Sequence, residues 1–174
     1  MNAAPEFSRP IRLVRIRKGP LRQEIVADSG ERATLARRLD LVALDRLSAV
    51  VELARQSDGT VLLTAAFSAD FVQSCVVTGD PVAGTVSDNL MLRYGSAEQE
   101  PETSAEENEP AFEPLSGDVI DIGEAVAQEL ALALPPFPRI PGVSVESELG
   151  ADAEPAREPG PFADLARPLG RGDG

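Results

Sequence analysis

The sequence predicts one α+β domain with a mainly antiparallel sheet and two helices. Three observations lead to this fold class. Up to Tyr94, segments in which apolar and polar residues alternate follow one another across short turns, which is typical of antiparallel strands. Two other segments have apolar residues at helical spacing, and an aspartate suited to cap a helix precedes each of them. A partly closed barrel is the alternative that this order of elements leaves open.

The N-terminal elements are two strands and a helix. Apolar and polar residues alternate in Pro10–Arg17 and again in Leu21–Ala27, and Gly19-Pro20 turns the chain between them. These two strands therefore make a candidate N-terminal hairpin. Asp28 is a suitable N-cap for the first helix, because Glu31 stands three residues later and completes a capping box.

Three longer strands follow the first helix. The apolar period changes to two over Arg46–Arg55, and the turn signal Ser57-Asp58-Gly59 leads into a long strand at Thr60–Cys75. Val82–Tyr94 is the next predicted strand. We expect a bend within it at Gly84, since an isolated glycine in a strand often marks a bulge.

The second helix is predicted to begin at Asp121. Asp121 and Glu124 repeat the spacing of a capping box, and Pro135-Pro136 ends the helix. Its apolar residues recur every four positions, so they share one helix face and are expected to be buried. The residues of this face are Ile122, Val126, Leu130 and Leu134.

Two segments are predicted to lie outside the folded core. Residues 96–116 contain seven glutamates and almost nothing apolar, so we expect a disordered acidic insertion there. Residues 143–174 form an acidic tail rich in glycine and proline, in which Pro161–Leu169 has the spacing of a short amphipathic turn. The predicted domain therefore spans residues 7–142, and the tail is expected to be flexible.

Charge is distributed unevenly along the chain. The net charge is −13, but residues 1–55 carry 11 basic and 7 acidic groups, whereas residues 56–174 carry 5 basic and 22 acidic groups. A protein this acidic is not expected to clamp a polyanion with its whole surface. The N-terminal half can still present a basic patch to RNA, or it can simply have a charged solvent face. The candidate contacts for RNA or a protein partner are Arg12, Arg15, Arg17 and Arg22. Because Arg12 lies on the opposite face of the predicted strand from Arg15 and Arg17, only part of the set is expected to form one patch.

The residue types of most catalytic and metal sites are absent or isolated. There is no histidine, which excludes Ser-His-Asp and Cys-His nucleophiles and most zinc sites. The only lysine, Lys18, lies in a turn, and no Gly-rich phosphate-binding pattern occurs. We interpret Cys75 as a small apolar residue at a strand end. Asp118, Asp121 and Glu124 suit a helix N-terminus better than a Mg²⁺ site. We therefore predict no catalytic residue, no cofactor, no metal and no small-molecule substrate.

No segment of the sequence indicates export or membrane insertion. Met1–Ser8 has no basic start followed by an apolar run, and the longest apolar stretch, Leu130–Pro136, is too short to cross a bilayer. The single cysteine allows no internal disulfide. We expect a cytoplasmic protein.

Two blocks of sequence carry a resemblance to a known family. They are Ser74-Cys75-Val76-Val77-Thr78-Gly79-Asp80-Pro81-Val82 and the block from Asp118 to Pro135, which contains IDIGEAVAQELALALP. The chain resembles the YceD family of large ribosomal RNA subunit accumulation proteins, in the style of its alphaproteobacterial members. The similarity spans about residues 7–142, with an echo at residues 161–166. Many relatives have a CxxC pattern suggestive of zinc, but here Thr78 stands where the second cysteine would be, so no zinc site is carried over.

The resemblance implies a bacterial factor for the synthesis, processing or stability of large-subunit ribosomal RNA, with no enzymatic activity. The leading hypothesis is an accessory factor that docks on precursor large subunits or on another assembly protein, with local contact to ribosomal RNA. The alternative is an acidic, chaperone-like binder of a basic ribosomal protein, in which the glutamates of 96–116 make the contact.

Overall fold

The computed structural model describes residues 5–16, 19–100, 109–115 and 117–143. The chain divides into two units, Met1–Ile140 and Pro141–Gly174, and every element below belongs to the first. The strands are β1 (Pro10–Arg12), β2 (Leu21–Val26), β3 (Ala43–Arg55), β4 (Val61–Ser74), β5 (Pro81–Gly95), β6 (Ala111–Pro114) and β7 (Val119–Asp121). The helices are α1 (Ser29–Arg38) and α2 (Ile122–Ala133), with short 3-10 turns at Leu13–Ile16 and Ala97–Gln99.

The strands form a five-stranded sheet and a separate two-stranded one. The large sheet has the order β2-β3-β4-β5-β6, with antiparallel pairs except for the parallel pair β5–β6. The α+β class with a mainly antiparallel sheet and two helices is thus confirmed. The barrel alternative is wrong, because in the described part of the chain β2 and β6 remain the two open edges of the large sheet.

The predicted N-terminal hairpin is wrong. β1 pairs with β7, whereas β2 pairs with β3. The predicted first strand also stops at Arg12 and continues as a 3-10 turn. Ile11 and Ile16 are both buried, but five positions apart in one strand they would face opposite sides. The 3-10 turn brings both side chains into the core.

The core lies on one face of the large sheet. Its strands bury alternate residues, as in the row Val51–Ala65–Leu90 that crosses β3, β4 and β5. Both helices contribute to the same hydrophobic cluster, α1 through Leu35 and α2 through the predicted four-residue stripe. Ile122, Val126 and Leu130 are fully buried and Leu134 packs against them, so this predicted face is confirmed. Pro135 follows directly on Leu134, the C-cap of α2.

The bulge suggested as the cause of a bend at Gly84 is absent. The pairing of β4 with β5 continues in register through Gly84, which lies opposite Phe71. A Cβ atom at Gly84 would come within 2.6–2.8 Å of the Phe71 ring. A larger residue at position 84 would clash with the Phe71 ring that covers it, which explains why this position is a glycine. The register shift of this sheet lies between Leu44 and Arg46 on β3.

The acidic insertion is partly ordered. Disorder was expected across 96–116, but residues 96–100 and 109–115 are described and include a 3-10 turn and β6. Gln99 donates a 3.0 Å hydrogen bond to the Asp58 carbonyl, and the Phe112 ring packs against Gly95. These contacts explain the error, because they anchor both ends of the segment to the sheet. Residues 101–108 and 116 and the tail from 144, including Pro161–Leu169, lie outside the described residues.

Candidate interaction surfaces

Asp121 joins the start of α2 to the N-terminal segment. One of its carboxylate oxygens accepts from the backbone N–H groups of Gly123 (3.1 Å) and Glu124 (3.2 Å), which caps the helix as predicted. The same oxygen accepts from the backbone N–H of Arg9 (2.7 Å), and the other oxygen accepts from the Ser8 hydroxyl. Asp121, which belongs to the second block that carries the family resemblance, therefore has a structural role: it connects α2 to the N-terminal segment.

Gly123 allows this N-terminal segment to cross the helix closely. A Cβ atom at Gly123 would overlap the carbonyl oxygen of Phe7 and lie 3.0 Å from its carbonyl carbon. Because the obstacle is backbone, a side chain here requires the two segments to move apart. Gly123 is therefore a packing requirement.

Glu124 does not complete the predicted second capping box. Its carboxylate instead accepts from both terminal nitrogens of Arg38 on α1, at 2.8 and 3.0 Å. Arg38 also donates to Glu6 at 2.9 Å. The hydrogen bonds to Glu124 and then to Glu6 raise the pKa of Arg38. This ion-pair cluster links the N-terminal segment, α1 and α2, so Arg38 is structural. Asp118, Asp121 and Glu124 accordingly do not act as one carboxylate cluster.

Arg9 is also used within the fold. Its guanidinium donates to both carboxylate oxygens of Glu31, at 2.6 and 2.9 Å, and lies 4.7 Å from the centre of the Phe7 ring. Glu31 also accepts from the Asp28 backbone N–H at 2.8 Å, which confirms the predicted capping box of α1. The hydrogen bond from Arg9 is the main reason why the pKa of Glu31 is lowered.

The three predicted basic contacts that the structure describes are exposed but lie on different parts of the fold. Arg12 ends β1 and Arg15 lies in the 3-10 turn that follows, in the layer over the covered face of the large sheet. Arg22 lies on β2 among the residues of the open face, directly opposite Glu52. Arg17 lies outside the described residues. The expectation that Arg12 and Arg15 lie on opposite faces of one strand is therefore wrong, because the strand ends at Arg12 and Arg15 belongs to the 3-10 turn. Arg22 lies on a different strand, apart from both.

The open face of the large sheet has an uncharged centre. A groove of about 710 Å³ lies on this face. A second, shallow groove of about 480 Å³ lies elsewhere, at the end of α2. The floor of the first groove consists of short side chains such as Thr64 and Ala66, with Met91 half exposed beside them. Charged residues surround this centre. Arg22 faces Glu52 across β2 and β3, and Arg46 pairs with Asp70 of the central strand β4 at 2.7 Å. Arg93 lies on β5, opposite Leu62. This face suits contact with a protein better than contact with phosphates.

Exposed glutamates border the opposite edge of the sheet. Glu98 and Glu100 lie at the 3-10 turn after β5, and Glu109 and Glu113 lie just before and within β6. All four side chains are exposed. The acidic character predicted for 96–116 is thus presented at a fixed edge of the sheet.

Cys75 is buried directly after β4. Hydrogen bonds from the Thr78 side chain, and then from the backbone N–H groups of Thr78, Ile140 and Val77, lower the pKa of the Cys75 thiol to about 7. Within the described ranges, no three histidine, cysteine, aspartate or glutamate side chains are placed to hold a metal ion. No helix among the residues searched is both long and apolar enough to span a membrane.

Sequence reasoning missed two surfaces that only the folded chain creates. One is an apolar cleft at the end of α2, bordered by Leu132 and by the proline-rich segment that follows. Leu132 is 80% exposed and Phe137, just beyond the cleft, is 73% exposed. The other is a groove between α1 and the start of β3 that contains Arg32 and Arg37. No sequence pattern marked the second surface, because the 59% exposure of Val42 is a property of the folded chain.

Comparison with known proteins identifies the family of this chain. The family model described as large ribosomal RNA subunit accumulation protein YceD matches residues 63–166, more than half of the 174 residues. The matched span contains most of β4, all of β5, the Asp121 cap, α2 and the echo at residues 161–166. No curated protein and no solved structure gives a significant match. The chain belongs to the YceD family of large ribosomal RNA subunit accumulation proteins.

Proposed function

We propose that this protein is a non-enzymatic accessory factor that docks on precursor large ribosomal subunits, or on an assembly protein bound to them, in the cytoplasm. Membership of the YceD family places its role in the accumulation of large-subunit ribosomal RNA. The mode of docking is our proposal. We also propose that the folded domain that docks spans residues 7–142. The observation that carries the docking proposal is the separation of exposed basic residues at the N-terminus from exposed acidic residues at the β5–β6 edge.

This separation of charge fits a mixed RNA and protein surface. With a net charge of −13, the protein as a whole is repelled by RNA, and electrostatics supplies most non-specific RNA affinity. A precursor particle also presents basic ribosomal proteins. Glutamates such as Glu98 and Glu113 can approach these proteins while Arg12 and Arg15 approach exposed phosphates.

The arginines to be tested differ from those that hold the fold. Arg9, Arg38 and Arg46 make ion pairs within the chain, so their loss would alter stability as well as binding. Arg12, Arg15 and Arg22 are exposed and make no ion pair within the described part of the chain. Their replacement is therefore expected to affect binding selectively.

The test compares binding to purified ribosomal RNA with binding to precursor particles at the same salt concentration. We expect weak binding to the bare RNA and clear co-sedimentation with the particles. Replacing Arg12, Arg15, Arg17 and Arg22 with glutamine should weaken the particle binding. The control Arg55→Gln with Arg139→Gln, which removes two exposed arginines elsewhere on the chain, should not. Tight, specific binding to bare RNA would refute the docking mode, as would unchanged particle binding after the four replacements and loss of the acidic charges.

The alternative function is an acidic, chaperone-like binder of a basic ribosomal protein. The exposed glutamates at the fixed β5–β6 edge favour it. Deleting 96–116 would remove β6, so the better variant replaces the seven glutamates with glutamine and keeps the length. Salt-sensitive binding to an isolated basic ribosomal protein that this variant loses would favour the alternative over docking on the particle.

A further inference from the structure

The groove between α1 and the start of β3 is not filled by another element of the described chain, and it has no part in the proposed function. We call it the α1 groove. It has a volume of about 350 Å³. Its floor is apolar and consists of Ala36, Leu41 and Leu44, which are all buried. Arg32 and Arg37 of α1 form one side of it, and Val42 lies at the other.

The pairing of the large sheet leaves this groove open. β2 pairs with β3 only from Ser48 to Leu53, so the first residues of β3 have no strand on that side and are flanked by α1 instead. The Val42 backbone N–H donates to the Val72 carbonyl at 2.8 Å, which fixes the main chain at this point. The Val42 side chain is nevertheless 59% exposed. A β-branched apolar side chain is thus held in solvent by a rigid backbone.

The charges at the groove are all of one sign. Arg32 donates to the Ala27 carbonyl at 2.7 Å, which holds its guanidinium beside the groove, and Arg37 is exposed. No lining residue carries a carboxylate. The acids at the start of α1 are already used, because Asp28 and Glu31 form the capping box and Glu31 also binds Arg9. Among the described residues neither groove arginine makes an ion pair, in contrast to Arg9 and Arg38.

We propose that the α1 groove docks a peptide segment of a partner protein that combines acidic and aliphatic side chains. One aliphatic side chain of the partner covers Val42 and the apolar floor, and flanking carboxylates bind Arg32 and Arg37. An RNA backbone would satisfy the two guanidinium groups but would leave Val42 and the floor without an apolar partner. The groove chemistry therefore favours a peptide over RNA. This site is separate from Arg12, Arg15 and Arg22 and does not depend on the proposed docking mode.

The test begins with selection of short random peptides displayed on phage against the full-length protein. Enriched peptides should combine aspartate or glutamate with leucine, isoleucine or valine. Affinities of a labelled enriched peptide are then measured by fluorescence anisotropy for the wild type and its variants. Arg37→Gln and Val42→Asp should each weaken binding about tenfold, since each removes a charge-assisted hydrogen bond or an apolar contact worth about 1.4 kcal/mol.

The controls separate docking from loss of folding. Arg55→Gln and Val14→Asp change an exposed arginine and an exposed valine that do not line the groove, and they should leave the affinity unchanged. Both groove variants alter exposed side chains, so their thermal unfolding should match the wild type. An Arg37→Glu variant should regain affinity for a peptide in which one glutamate is replaced by lysine. The proposal is overturned if no peptide is enriched, if enriched peptides lack acidic residues, if both groove variants bind normally, or if a short RNA competes for the same residues more tightly than the peptide.

Discussion

Replacing Asp121 with alanine tests whether this carboxylate joins α2 to the N-terminal segment. The change removes four hydrogen bonds, two to backbone N–H groups of α2 and two to Ser8 and Arg9. Loss of an N-cap costs about 1 kcal/mol. Each of the other two bonds contributes about 1 kcal/mol, the value for an ordinary hydrogen bond, because the site is only partly buried and water weakens the effect of the charge. The expected loss in the free energy of unfolding is therefore about 3 kcal/mol.

Thermal unfolding and limited proteolysis measure this effect. A loss of about 3 kcal/mol in a chain of this size lowers Tm by about 6–12 °C. The N-terminal segment should also be released more often, so chymotrypsin should cleave after Phe7, which is fully buried in the wild type. Asp118→Ala is the matched control, because Asp118 is exposed and its side chain makes no hydrogen bond within the described residues. A variant of Asp121 that melts with the wild type and shows no new cleavage would refute the reasoning.

Three further predictions concern the packing of α2 and the ionisation of the Cys75 thiol. Gly123→Ala should lower the free energy of unfolding by about 3 kcal/mol in chemical denaturation, because its Cβ meets fixed backbone; a stability equal to the wild type would show that the crossing is looser. Leu130→Asp should unfold the domain by burying an unpaired charge, whereas Leu132→Asp, at an 80% exposed site in the last turn of the same helix, should cost only about 1 kcal/mol; equal melting of the two variants would contradict the assignment of the buried face. Thiolate absorbance should titrate with a midpoint of about pH 7 for Cys75, and Thr78→Val should raise that midpoint because it removes the main hydrogen bond to the thiolate. Since the pKa of Cys75 is lowered from 9.0 to about 7 in the folded state, ionisation of the thiol should stabilise the fold increasingly as the pH rises from 7 to 9, and not below pH 7. A stability that falls between pH 7 and pH 9 would contradict the lowered pKa.

Local features of the sequence were sufficient to predict most elements of the first unit. The Asp28 and Asp121 caps, the stripe that contains Leu130, and the three long strands were all predicted close to their observed positions. Each of these features depends on hydrogen bonds or periodicity within a few residues, which a sequence pattern records directly. The exposure of Arg12, Arg15 and Arg22 was likewise expected, since charged residues on strands and turns rarely become buried.

Features that depend on distant residues could not be predicted in this way. Capping-box spacing suggested a local partner for Glu124, but an arginine 86 residues away on α1 binds it instead. β1 pairs with β7 rather than with its neighbour in sequence, and β6 joins β5 although its segment is largely acidic. The α1 groove exists because β2 ends before it reaches the start of β3.

The sequence by itself determined where the two helices and the three long strands lie, which residue types are missing, and where the charges lie along the chain. Tertiary structure alone decided which strands pair, which arginines are used within the fold and which apolar residues stay exposed. The physical reason is that local propensities act over one turn or one hairpin, whereas contacts such as Asp121 with Arg9 join groups 112 residues apart. Such contacts form only when the whole core brings their elements together, so no window of sequence encodes them.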